Sequence, residues 1–274
     1  MKTNIHIIAF AGLALVAVGC NTAVDPVVIT AVDVDPRVDY SDLHTVLSRA
    51  VDGRGFLQSY EVDGVVDRLD AQLALFAVTG PSITPGLYPT AEDRLAYWFN
   101  ARSAWAIKLA ELIGCMEWAS ADLLEHRSFQ LDGRMMTLAG IDEILSRDED
   151  WRTVAAAPCV RLRRGGLTQS PFEPRTIRME IRRRFIGYVS NRDRFVIDGE
   201  RREVRYHPVI WQFRDVLIER YERTYGASDV NLNTAILPYL EGAALRRMQS
   251  AIGYRPVSDA AAGPLACAQE ASPG

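Results

Sequence analysis

The sequence predicts a mostly helical α+β fold, built as a single domain with short antiparallel β-hairpins, and three observations carry that expectation. Between positions 90 and 114 apolar residues recur at three- and four-residue steps around most of a helical circumference, the pattern of a core helix that other elements pack around. Two Asp-Gly pairs, Asp132-Gly133 and Asp198-Gly199, each separate two short strand-like stretches, which signals a hairpin. No internal repeat and no interior linker divides the 274 residues, so one domain over 38–258 is the economical arrangement.

Taken in order, 20–37 lacks a helical period, carries Pro26 and Pro36, and reads as a tether. Helical spacing marks 42–51 and 65–78, while 80–89, with three prolines and two glycines, is a loop. Thr90 and Asp93 have the spacing of a capping box at the head of the core helix, and Gly114 supplies its stop. Residues 118–125 read as a short helix, 128–131 and 134–138 as paired strands, 139–147 as a helix and 151–159 as a buried strand. After a loop at 161–174 comes an amphipathic helix at 176–189, with Ile177, Ile181, Phe185, Tyr188 and Val189 inward and arginines outward. The second hairpin covers 195–197 and 203–206. Helices at 208–225, 231–239 and 243–251 follow, then a strand at 254–257, and the small, polar 259–274 reads as a disordered tail.

A net charge of −4 on an ordinary globular composition gives no electrostatic case for nucleic-acid binding. Thirteen arginines nonetheless fall between Arg161 and Arg205, either as a solvated helix face with its loops or as a surface for phosphate or an acidic partner. The most specific signal lies at the N-terminus. Lys2 opens a short charged region, 5–18 is apolar apart from His6, and Ala17-Val18-Gly19 precedes Cys20. This is a secretory signal that resembles a bacterial lipoprotein lipobox, with Ala17 where Leu is more usual. The apolar run is short for a bilayer, and a permanent transmembrane helix is the alternative. On the lipoprotein reading 1–19 is the signal peptide, Cys20 is the lipid attachment point, and the domain is anchored in the cell envelope facing periplasm or exterior. Cys115, Cys159 and Cys267 cannot all pair, and the absence of CxxC, HExxH or a close His/Cys cluster leads to an expectation of no metal and no cofactor.

A helix carrying LAYWFNARSA is followed by FQLDGRMMTLAGIDEIL, DEDWRTVAAAPC, a further helix, VRYHPVIWQFRDVL and ILPYLEGAA. In that order, over 38–257, these segments resemble the DUF547 family, a domain of unknown function often found in secreted or lipid-anchored bacterial proteins. The resemblance implies kinship with papain-like or transglutaminase-like cysteine hydrolases and makes Cys159 the candidate thiol. Ala96, Trp98 and Asn100 fit the family's core-helix motif, whereas Arg102 and Ser103 stand where it has Tyr and Asn. Asp150, Arg152 and Cys159 fit the segment around the family's cysteine, but Val154 replaces a His and Pro158 an Asn. Ser170 stands for its second cysteine, and Ile141-Asp142-Glu143 lacks the His that many members carry there.

A thiol nucleophile needs a base, and with the motif histidines gone the catalytic candidates are Cys159 with His207, or with a carboxylate such as Glu143. The other reading of Cys159 is a small buried core residue. Arg102 falls inside the apolar stripe of the core helix and Asn100 among its small residues, and buried polar groups need partners. They belong either to a structural hydrogen-bond network or, with Arg152, to a pocket whose guanidiniums suit a carboxylate or phosphate; the first reading pairs each arginine with an acid such as Asp150 or Glu92. The functional expectation is an envelope lipoprotein whose domain is a non-catalytic binding or scaffold module. A thiol-dependent hydrolase or acyl transferase is the alternative, and the arginine-rich helix at 176–189 is a candidate for binding an anionic ligand or envelope polymer.

Overall fold

Residues 39–113, 126–158, 166–191 and 194–259 are described by a computed structural model of the chain. Helices α1 (Ser41–Ala50), α2 (Ser59–Val62) and α3 (Val66–Val78) precede the core helix α4 (Ala91–Ile113). A hairpin of β1 (Phe129–Leu131) and β2 (Arg134–Met136) leads into α5 (Leu138–Leu145), α6 (Thr153–Ala156) and α7 (Ile177–Val189). Then come β3 (Phe195–Asp198), β4 (Glu203–Tyr206), α8 (Pro208–Gln212), α9 (Arg214–Tyr225), α10 (Leu232–Ala235), α11 (Gly242–Gln249) and β5 (Arg255–Ser258). The fold is α+β and mostly helical, as the sequence pattern requires.

The head of α4 is closed by a reciprocal cap. The Asp93 amide donates to the Thr90 hydroxyl at 3.0 Å, and the Thr90 amide donates to the Asp93 carboxylate at 2.9 Å. Every residue from 95 to 110 is buried, so α4 is enclosed on all sides rather than amphipathic. Trp105 stacks on Phe129 of β1 with ring centroids 4.1 Å apart, and Tyr97 meets Phe76 of α3 edge to face at 5.4 Å. Such contacts add specificity to burial that contributes about 1.5–3 kcal/mol per large apolar side chain.

The core has two apolar clusters. One surrounds α4 and takes in Leu43, Leu69, Phe99, Leu131 and Ile141; the other gathers Phe195, Val204, Leu217, Ile236 and Met248. Helix α7 serves both, with Ile177 and Ile181 in the first cluster and Phe185, Tyr188 and Val189 in the second.

In the first hairpin, Asp132 (φ 52°) and Gly133 (φ 71°) both lie in the left-handed region, the conformation of a type I′ turn whose twist suits paired strands. The backbone of Gly80 passes so close to this turn that a Cβ there would fall 2.2 Å from the Asp132 carboxylate, which accepts from the Ser82 and Ile83 amides. The second hairpin pairs β3 with β4, Phe195 opposite Tyr206.

Several elements differ from the sequence expectation. The segment 151–159 contains the helix α6 where a buried strand is expected. Asp148 accepts from the Asp150 amide and the Thr153 hydroxyl, and Asp150 accepts from the Arg152 amide, which turns the chain into that helix. Strand β5 adds parallel to β4, Glu203 opposite Arg255, because α8–α11 supply the crossover that a parallel pair needs. The expected helix 208–225 breaks at Phe213, and 231–239 is α10 followed by a 3₁₀ turn at Leu237–Tyr239. The expected helix at 118–125, the signal peptide, the tether and the tail beyond Asp259 lie outside the described residues. Among the described residues no helix is long and apolar enough to cross a membrane.

Candidate functional site

Two polar residues in the middle of α4, Asn100 and Arg102, face segments that follow it in sequence. Asn100 is fully buried, and its side-chain amide clamps one residue: Nδ2 donates to the Phe172 carbonyl at 2.9 Å and Oδ1 accepts from the Phe172 amide at 2.7 Å. Both ends of the amide are thus used on backbone that no secondary structure would satisfy. Arg102, 2% exposed, donates through Nε and Nη2 to the two oxygens of Asp142 at 2.8 and 2.7 Å, and through Nη1 to the Pro158 carbonyl. The fork geometry of guanidinium and carboxylate makes this a two-point pair. Tyr40, at the start of the described chain, packs on Phe76, and burial raises the proton affinity of its hydroxyl, as it does for Tyr97.

A second set of charges lies where α7 meets α4 and α6. Arg152 grips Asp150 through Nε at 2.7 Å and Nη2 at 2.6 Å; hydrogen bonding to that carboxylate raises the proton affinity of Arg152. Arg178 of α7 reaches Glu92 at 3.0 Å and Asp148 at 2.6 Å, tying the first turn of α4 to the loop before α6. That guanidinium holds the Glu92 carboxyl below the usual carboxylate range. Arg184 donates to the carbonyls of Ala156 at 2.6 Å and Gly166 at 2.7 Å while covering the Phe172 ring. Asn100, Arg102 and Arg184 therefore hold backbone at 156, 158, 166 and 172, on both sides of residues 159–165.

Of the residues singled out from sequence, Asn100, Arg102 and Arg152 each have their own internal partner, and those partners are distinct: Phe172, Asp142 and Asp150. Cys20 and Cys159 lie outside the described residues. His207 precedes α8, half-buried, with Nδ1 3.2 Å from the Tyr188 hydroxyl; Arg194 covers the face of that Tyr188 ring at 4.4 Å. Glu143 points to solvent from α5. The sequence reading missed Asp142 as the partner of Arg102 and Arg184 as an internal cross-link. The signal for the first was an acid next to the buried stripe Leu138, Ile141, Leu145; for the second there was none, since Arg184 stands in a run of three arginines. Among the described residues no group of three or more His, Cys, Asp or Glu is arranged to hold a metal ion.

No family model, no curated protein and no solved structure matches this chain.

Proposed function

We propose that the chain is a cell-envelope lipoprotein of the DUF547-like type, attached through Cys20, whose domain is a non-catalytic binding or scaffold module. The observation that carries the non-catalytic half is the use made of the motif positions on α4. Where a catalytic helix would present polar groups to a substrate, Asn100 and Arg102 are bonded to Phe172, Asp142 and Pro158 inside the protein. The lipid attachment is supported by Ala17-Val18-Gly19-Cys20 after an apolar run.

A second reading, a thiol hydrolase or acyl transferase using Cys159, has one observation in its favour. The Tyr188 hydroxyl beside His207 Nδ1 is what an imidazole base needs to be held in one orientation. Alkylation of the mature chain carrying Cys20→Ser, followed thiol by thiol against pH, separates the two readings, because thiolate fraction sets the rate. The scaffold reading expects Cys159 to react no more readily than an ordinary thiol, whose pKa is about 8.5. Fast reaction well below that pH, abolished by His207→Ala, would replace it with the enzyme reading.

A further inference from the structure

We infer that the outer face of α7 docks on a bilayer surface bearing anionic lipid headgroups. This deepens the lipoprotein reading above and rests on it for the nearness of a membrane. The helix has two populations of arginine. Arg178 and Arg184 are turned inward and bonded to carboxylates and carbonyls. Met179, Arg182, Arg183 and Ile186 fall at i, i+3, i+4 and i+7, so they share the opposite face. Met179 is 64% exposed, Arg182 and Arg183 are exposed and Ile186 is half-exposed. Arg175, just ahead of the helix, has 89% of its side chain in solvent.

Charge and apolarity together choose the partner. Arg182 makes no ion pair among the described residues. Arg183 pairs with Glu180 at 2.6 Å and Arg175 with Glu173 at 3.7 Å, both on the surface, where such pairs contribute little and can re-pair with phosphate. A soluble polyanion would use only the guanidiniums. An interfacial surface also takes up Met179 and Ile186, which lie on the same face as Arg182 and Arg183. A few arginines bind anionic lipid weakly, roughly fivefold in partitioning for each at low salt. An anchor at Cys20 would keep the domain within a tether reach of at most roughly 60 Å, and that local concentration makes a weak surface sufficient.

The test uses the full mature chain made unlipidated by Cys20→Ser, co-sedimented with phosphatidylglycerol/phosphatidylcholine vesicles and with pure phosphatidylcholine vesicles at low and high salt. Binding is expected to the anionic vesicles alone and to fall with salt. Arg182→Gln/Arg183→Gln should weaken it at least tenfold, and Met179→Ser should weaken it at both salt concentrations. Arg220→Gln/Arg223→Gln on α9 should leave it unchanged, with circular dichroism verifying each fold. Failure to bind anionic vesicles, or equal binding by the Arg182/Arg183 variant, overturns the proposal. So does binding to soluble polyphosphate that matches vesicle binding and ignores Met179→Ser, which would make α7 a polymer site. Failure of the anchor reading is read separately, as wild-type protein that incorporates no radiolabelled acyl chain in cells.

Discussion

Replacing Asp142 with Ala should destabilise the protein more than replacing its buried partner Arg102, and the asymmetry follows from exposure. Arg102 is 2% exposed and bonded through Nε, Nη1 and Nη2, whereas 21% of the Asp142 side chain reaches solvent. Asp142→Ala takes both carboxylate bonds away from a guanidinium in the core, a loss of about 3–5 kcal/mol for a broken buried pair. Arg102→Met removes the charge and keeps the volume; Asp142 can then draw water, and the cost is about 1–3 kcal/mol for the unpaired groups. Arg102→Met/Asp142→Leu should cost less than Asp142→Ala alone, since no charge is left buried. For a domain of this size roughly 2–4 °C accompanies each kcal/mol, so Asp142→Ala should lower the melting temperature by roughly 6–20 °C. Urea and thermal unfolding of the unlipidated mature chain, followed by circular dichroism, measure this directly. If Asp142→Ala costs no more than Arg102→Met, or the double variant is worse than the two singles summed, the pair is not a buried cation held by a half-wet acid.

Three further perturbations probe the same framework. Asn100→Ala leaves the Phe172 amide and carbonyl buried without partners, which should cost about 2–5 kcal/mol and speed hydrogen exchange at the Phe172 amide; unchanged protection there would show that another contact holds the segment. Gly80→Ala places a Cβ 2.2 Å from the Asp132 carboxylate, so it should destabilise by about 1–3 kcal/mol and be partly rescued by Asp132→Ala, and a neutral Gly80→Ala would mean that the turn moves freely. Burial raises the hydroxyl pKa values of Tyr40, Tyr88, Tyr97 and Tyr206. For Lys108 burial works against the charge, but Asp70 at 2.9 Å and Glu111 at 3.2 Å outweigh it and raise the pKa. Groups that hold their protons more tightly when folded contribute fully below their unfolded values of about 10 and lose that contribution as pH climbs towards the folded ones. The urea midpoint should therefore hold to about pH 9 and fall above pH 10, with these tyrosines ionising at 295 nm only on unfolding; ionisation of every tyrosine near pH 10 with native circular dichroism would refute this.

Local rules made parts of this structure legible in advance. The Thr90/Asp93 cap and the Asp132-Gly133 turn each depend on a few adjacent residues, and both form with the geometry that those residue types favour. The inward face of α7 was readable because five apolar residues repeat at helical spacing. Position 151–159 was not, since a short apolar run lacks a period and the choice between strand and helix fell to Asp148 and Asp150 upstream. The parallel β5 depends on pairing with a strand some fifty residues earlier, and no local signal carries that. The partners of the arginines were hidden for a related reason. Acids at 92, 142, 148 and 150 are all near candidates in sequence, and only the packing of α4, α5 and α7 decides that Arg102 takes Asp142 and Arg178 takes Glu92 and Asp148.

The arginine excess that looks in sequence like one basic surface is, in the fold, a set of different devices. A loop end presents carbonyls that no ladder satisfies, and a guanidinium can meet two of them at once because its donors diverge in a plane. Arg184 does this for Ala156 and Gly166, and Arg102 does it for an acid and a carbonyl together. Lysine, whose donors all sit on one nitrogen, can bridge only partners close to that single point, whereas the guanidinium's donors are spread over three nitrogens. The inward arginines are therefore explained by internal carboxylates and backbone carbonyls and say nothing of a ligand. That argument does not extend to Arg182, exposed beside Met179 and without an ion pair among the described residues, so any recognition of an anion by this helix has to come from its outer face.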